Sequence, residues 1–222
     1  MNFLFRVNRL SMLRCALVYK GRFLSSEHRF TAGIAEKGLF FYEVSAVMNK
    51  IFWVDMEMTG LDPEQTVILE FAGIVTNLKL EALAQYQTVI YQPEEELAKM
   101  NQWNFQTHSG SGLLAQVPTG KPISVAEGEI IAFLKKHFQD EQPVLAGNSI
   151  HQDRKFIDRH MPKLAAVLHY RMIDVSSFKQ VFRHFYHVNF KKENRHRAFD
   201  DITASINELK HYLKYVQLSP YS

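Results

Sequence analysis

Two carboxylates one residue apart, Asp55 and Glu57, stand inside an otherwise apolar run, Ile51-Phe-Trp-Val-Asp-Met-Glu-Met58. If the run is a strand, side chains alternate, so both acids leave one face with Cα atoms ~6.5–7 Å apart. That spacing lets two oxygen donors converge on one small hard cation. Acids within an apolar strand are costly unless paired or metal-bound. A half-exposed edge strand with two solvated acids is the plain alternative, and Ile51, Phe52, Trp53 and Val54 oppose it.

A third acid, Asp153, follows Gly147-Asn148-Ser149 at the end of a short apolar run. Ligand sites of α/β sheets often lie at such strand ends. An acid in the first turn of a helix also compensates the helix dipole, and position alone does not choose between the two. The last cluster is His196-Arg197-Ala198-Phe199-Asp200-Asp201. Ala198, Ile202, Ile206, Leu209 and Leu213 form an apolar stripe at helical spacing. At ~100° per residue, Asp201 falls at the border of that stripe and Asp200 nearly opposite it. Asp201 is therefore the one expected to face a site beside the core. His196 precedes the regular helix and could reach over the same site, although in a chain with 10 histidines a surface role is the default for any one of them.

The elements that must position these residues can be read from punctuation and periodicity. The domain is expected to begin near Asn49, with strands over 51–58, 67–76 and 83–91 joined by short connections as an antiparallel meander. Pro93 and three glutamates open a helix. Ser124 and Glu127 have the spacing of a capping box for a helix running to about Phe138. A short strand over 143–146, a helix from about His151, a strand over 170–175, a helix capped by Ser176 or Ser177, and a last helix from Ala198 to about Val216 complete the series. Strands first, then alternating helices and strands, predict an α/β fold: a mixed sheet of about five strands flanked by helices.

The 222 residues suffice for one sizeable core plus an extension. The formal charge is only +3, and no long basic stripe of the kind that grips duplexes is present. A single cysteine, Cys15, excludes an internal disulfide framework and a multi-cysteine zinc site. No apolar run approaches the ~18–20 residues that span a bilayer, so a soluble protein is expected. Residues 1–48 form a basic extension. Arg6, Arg9, Arg14, Lys20 and Arg22 occur with no acid before Glu27, the composition of a mitochondrial transit peptide. A basic tail that touches RNA is the alternative. Met48 would allow a shorter cytoplasmic or nuclear product that keeps the whole domain.

The order Asp-x-Glu, a later Asp, and His-x4-Asp resembles the DEDDh 3′→5′ exonucleases. The longer strings Asp55-Met-Glu-Met-Thr-Gly-Leu61, Gly147-Asn-Ser-Ile-His-Gln-Asp153 and His196-Arg-Ala-Phe-Asp-Asp201 are similar to those of members that degrade very short RNAs. The resemblance covers about residues 50–216. It implies a ribonuclease-H-like fold and a catalytic domain over 49–222. Asp55, Glu57, Asp153 and Asp201 would hold two divalent cations, Mg²⁺ or Mn²⁺. His196 would be the general base, and 5′-nucleoside monophosphates the products.

The resemblance also implies a substrate set: Leu61 as a wedge, Trp103 as an aromatic wall, and His108 and Ser149 along the RNA. Tyr170 and Arg171 would reach across from the partner of a homodimer, with Ser176 nearby, to close the 5′ end around a dinucleotide. Without the resemblance, Leu61 and Trp103 would be taken as core and Tyr170 as strand packing. Contacts of the loop at 103–111 are not fixed by the sequence. Two other functions stay open: a DEDDh exonuclease acting on longer RNA or on DNA 3′ ends, and a catalytically dead nucleic-acid-binding protein, which the intact five-residue set opposes.

Overall fold

The computed structural model describes residues 49–191 and 197–216, and ahead of them the backbone of four short strands. The chain divides into two compact units, Met1–Val47 and Met48–Ser222. In the first, β1 (Val18–Tyr19) pairs antiparallel with β2 (Arg22–Phe23), and β3 (Phe30–Ala35) with β4 (Gly38–Glu43). Sequence reasoning assigned no element there.

The second unit is built on a five-stranded sheet. Its strands are β5 (Lys50–Met58), β6 (Ile68–Asn77), β7 (Ala82–Val89), β8 (Leu145–Gly147) and β9 (Met172–Asp174), in the spatial order β7-β6-β5-β8-β9. β7, β6 and β5 form the expected antiparallel meander, while β8 and β9 run parallel to β5. The acid-bearing strand is thus the middle one. Its alternation sorts the core into two layers. Phe52, Val54 and Met56 face the helices α3 (Ile123–Phe138), α4 (Ile150–His160) and α5 (Pro162–Val167). Ile51 and Trp53 face α6 (Val175–Phe185) and α7 (Ala198–Leu213). Trp53 is wholly buried, and its indole N–H donates to Thr76 Oγ1 at 2.9 Å, so its burial leaves no donor unmatched. Continuing the alternation, Asp55 and Glu57 emerge on the α6/α7 side, where both are half-buried.

Two further helices, α1 (Glu94–Leu97) and α2 (Gln102–Gly110), lie between β7 and α3. Pro93 stands just ahead of α1, which is a single turn. α2 was missed because its sequence, Gln-Trp-Asn-Phe-Gln-Thr-His-Ser-Gly, carries no apolar stripe; its end is fixed by Asn101, whose side chain accepts from the Asn104 amide.

Two caps differ from expectation. Pro122 precedes α3 without a side-chain cap. Glu127 Oε1 instead accepts the Lys163 and Leu164 amides at 2.7 and 3.1 Å, so it caps α5 from the neighbouring helix. Asp174, rather than Ser176 or Ser177, caps α6 through a bond from the Ser176 amide. No helix among the described residues is long and apolar enough to cross a membrane.

Candidate active site

Asp55 and Glu57 from β5 and Asp201 from the first turn of α7 come together. One carboxylate oxygen from each lies within 4.8 Å of the others. Asp201 is 9% exposed while Asp200 points to solvent, as the phase of the apolar stripe requires. Three like charges at this separation repel strongly. Burial, and after it the charges of Asp201 and Glu70, push the Glu57 carboxyl up to about 7, against the opposing pull of Arg197. A cluster of hard oxygen donors whose ionised forms destabilise one another is suited to a divalent cation.

Asp153 is not a member of that set of three. It sits buried in the first turn of α4, and its Oδ1 accepts the Met56 amide at 3.0 Å. β8 pairs with β5 only at Phe52 and Trp53, and Asp153 supplies an acceptor to β5 beyond that ladder. Burial raises its carboxyl well above the usual range, with Glu57 among the charges adding to the effect. Three of the four expected acids thus form one close set, and Asp153 is braced against the same strand end beside it. His196 lies outside the described residues.

The substrate set is spread around this centre. Leu61, Trp103 and Tyr170 are 77%, 63% and 70% exposed, which excludes the reading of these side chains as core. Leu61 is carried on a loop ordered by Asp62, whose carbonyl accepts the Gln65 and Thr66 amides, and Gln152 of α4 donates to the Leu61 carbonyl. Tyr170 stacks on His169 at 4.6 Å, and the Arg171 guanidinium stands 5.0 Å from the Tyr170 ring centroid. Ser149 adopts a left-handed conformation with φ 51°. Its amide is held by Asp174 Oδ1 at 3.0 Å and Ser176 Oγ at 2.9 Å, so Ser149 and Ser176 share one small polar corner.

His108 is the exception. It is 2% exposed, its Nε2–H donates to the Met58 carbonyl at 3.0 Å, and Nδ1 lies 3.8 Å from Glu57 Oε2. In this arrangement it ties α2 to the end of β5. Asn104 does the same through the Thr59 carbonyl at 2.8 Å.

Fold and acid cluster together are those of an exonuclease, and a family model described as Exonuclease matches residues 52–209. The oligoribonuclease of Aeromonas hydrophila is 45% identical over 173 residues, covering 76% of this chain and 96% of that protein. That of Vibrio cholerae is 46% identical over 176 residues, with the same two coverages. The chain belongs to the oligoribonuclease family of exonucleases.

Among solved structures, the metal-free Escherichia coli exonuclease I–single-stranded DNA complex superposes with a TM-score of 0.60 at 11% identity, over 76% of this chain and 40% of that one. Exonuclease I of Methylocaldum szegediense gives 0.58 at 15%, over 77% and 41%. At such identity the likeness is one of fold, the ribonuclease-H-like mixed sheet. This chain spans about two fifths of the length of those structures.

Proposed function

We propose that this protein is a 3′→5′ exoribonuclease that hydrolyses short oligoribonucleotides, dinucleotides above all, to 5′-nucleoside monophosphates. The observation that carries the reading is the Asp55–Glu57–Asp201 cluster in a chain that matches oligoribonucleases over 96% of their length. The cluster speaks against a catalytically dead binding protein.

In this reading Asp55, Glu57, Asp153 and Asp201 hold two Mg²⁺ or Mn²⁺ ions. Bound there, the ions would stabilise the attacking and leaving oxygens and acidify a water. His196 would serve as the general base, accepting the proton of the attacking water at its imidazole. Leu61 and Trp103 present apolar and aromatic faces to the bases, each stacking contact worth ~1–3 kcal/mol. Arg171 pairs with phosphate. Ser149 and Ser176 offer hydroxyls at their shared corner, and Tyr170 closes the 5′ side. Tyr170 and Arg171 act from the partner subunit of a homodimer. This division of labour is supported by their exposure at the start of β9, an edge strand. His108, beside Glu57, lies along the substrate next to the acid cluster.

A closed 5′ pocket favours the shortest substrates, because added nucleotides meet a wall. The deciding experiment is cleavage of 5′-labelled RNAs of two to ten nucleotides at fixed salt, with Mg²⁺ present or chelated. The dinucleotide should show the highest kcat/KM, and chelation should abolish turnover. A profile flat or rising with length would retain the nuclease and sink the closed pocket, favouring a longer RNA or a DNA 3′ end as substrate. Residues 1–48 are proposed as a mitochondrial transit peptide and linker, supported by their acid-free basic start; a fusion of this segment that stays cytosolic refutes it. Full activity from a monomer would refute the shared site.

A further inference from the structure

A charged side chain without exposure survives in a core only when its lone pairs are matched. Glu70 is such a group. It lies on β6 with no exposed surface, directly across the strand register from Glu57, yet it is not part of the acid cluster. Its oxygens are committed elsewhere. Oε1 accepts from Arg197 Nη2 at 2.7 Å and from Gln87 Nε2 at 2.9 Å. Oε2 accepts from Arg197 Nε and from the Ala198 amide, each at 3.2 Å. Four donors on one carboxylate leave little for a metal.

These donors come from β7 and from the start of α7. The two arginine bonds form the planar fork that fixes orientation as well as distance. Ala198 N–H is one of the amides at a helix start that has no partner within the helix. Arg197, which precedes α7, provides no side-chain cap of its own; Glu70 supplies one from the sheet. The Arg197 carbonyl in turn accepts the Asp201 amide at 3.1 Å, so the clamp and the metal-facing acid share the first turn of α7. A slip of that turn by one residue would rotate Asp201 by ~100°, away from Asp55 and Glu57.

We infer that Glu70 and Arg197 are a positioning pair of the active site: the clamp anchored on buried Glu70 sets the rotation of α7 so that Asp201 faces Asp55 and Glu57, and divalent-cation binding depends on it. The inference rests on the metal-dependent reading given above. It differs from a purely structural ion pair, which would support the fold without setting metal affinity.

The test is Mn²⁺ titration of the full-length protein followed by the electron paramagnetic resonance of free Mn²⁺, a readout that needs no turnover, beside kcat and KM on a diribonucleotide. Arg197→Lys keeps the charge and loses the fork, and Glu70→Gln keeps the shape and loses the charge. Leu134→Ala, in the core layer on the opposite face of the sheet, controls for lost stability. Both clamp variants should bind Mn²⁺ on the order of tenfold or more weakly, the range typical of groups that orient metal ligands. Their kcat should fall while KM holds within about threefold, and Leu134→Ala should bind Mn²⁺ like the parent protein. If Glu70→Gln does not fold, Arg197→Lys decides alone. Mn²⁺ affinity unchanged in the clamp variants, or weakened equally by Leu134→Ala, overturns the positioning role. A parent protein that binds no Mn²⁺ overturns the metal-dependent reading itself, and the inference with it.

Discussion

Glu57 links metal binding to stability through pH. In the folded protein its carboxyl ionises at about 7 against an ordinary 4.5, chiefly because burial withholds water from its charge. Between those two values the folded chain keeps a proton that the unfolded chain has released, so stability falls as pH rises. The gap, at ~1.36 kcal/mol per pH unit, amounts to about 3 kcal/mol. That is a large share of the ~5–15 kcal/mol by which a domain is stable. The perturbation is Glu57→Gln, which keeps the shape and removes the titration. The assay is urea denaturation followed by tryptophan fluorescence from pH 4 to 8 in chelator. Relative to the parent, the variant should gain on the order of 3 kcal/mol across that window; carboxylates remote from the cluster cancel in the difference, while Asp201 and Asp153, which share charge with Glu57, lose its repulsion and add to the gain. Millimolar Mg²⁺ should narrow the gain by stabilising the parent's complete acid cluster more than the variant's. Parallel curves for parent and variant in chelator would refute the argument that burial and mutual repulsion load this site.

Asp201→Asn should abolish turnover while Asp200→Asn keeps most of it, as judged by kcat on a diribonucleotide, because only Asp201 faces Asp55 and Glu57. Trp103→Ala should raise KM by an amount matching one stacking contact, ~1–3 kcal/mol, and leave the urea midpoint unchanged, since the ring is mostly exposed. Glu127→Ala should cost about 1–2 kcal/mol of stability by uncapping α5, read from urea denaturation, with kcat unaffected.

The length of chain from Asp55 to Asp201 hides a site whose parts were legible one at a time. Strand alternation put Asp55 and Glu57 on one face, and helix phase chose Asp201 over Asp200, because both are local periodicities that survive in any tertiary setting. The meander and the α/β class followed from the same kind of pattern. Glu70 carried a usable signal, a lone acid in the apolar run Ile68-Leu-Glu-Phe-Ala72, by the argument that picked out Asp55 and Glu57. What the run could not say was whether that acid would meet a cation or an arginine far along the chain.

Contacts between distant segments had to wait for the tertiary structure. Glu127 has the spacing of a capping box, yet it caps a different helix, because three-residue spacing says nothing about which amides a neighbouring element brings near. Asp153 braces the Met56 amide because β8 stops short of it, and no local pattern records where a partner strand ends. His108 is buried behind Glu57 while Leu61, Trp103 and Tyr170 stay in solvent. Composition treats all four as candidates for either place. Sequence by itself determined which residue types could hold a cation and on which face each element would present them. Only the tertiary structure decided which of those faces meet, because that depends on packing between elements whose separation along the chain no periodicity can encode.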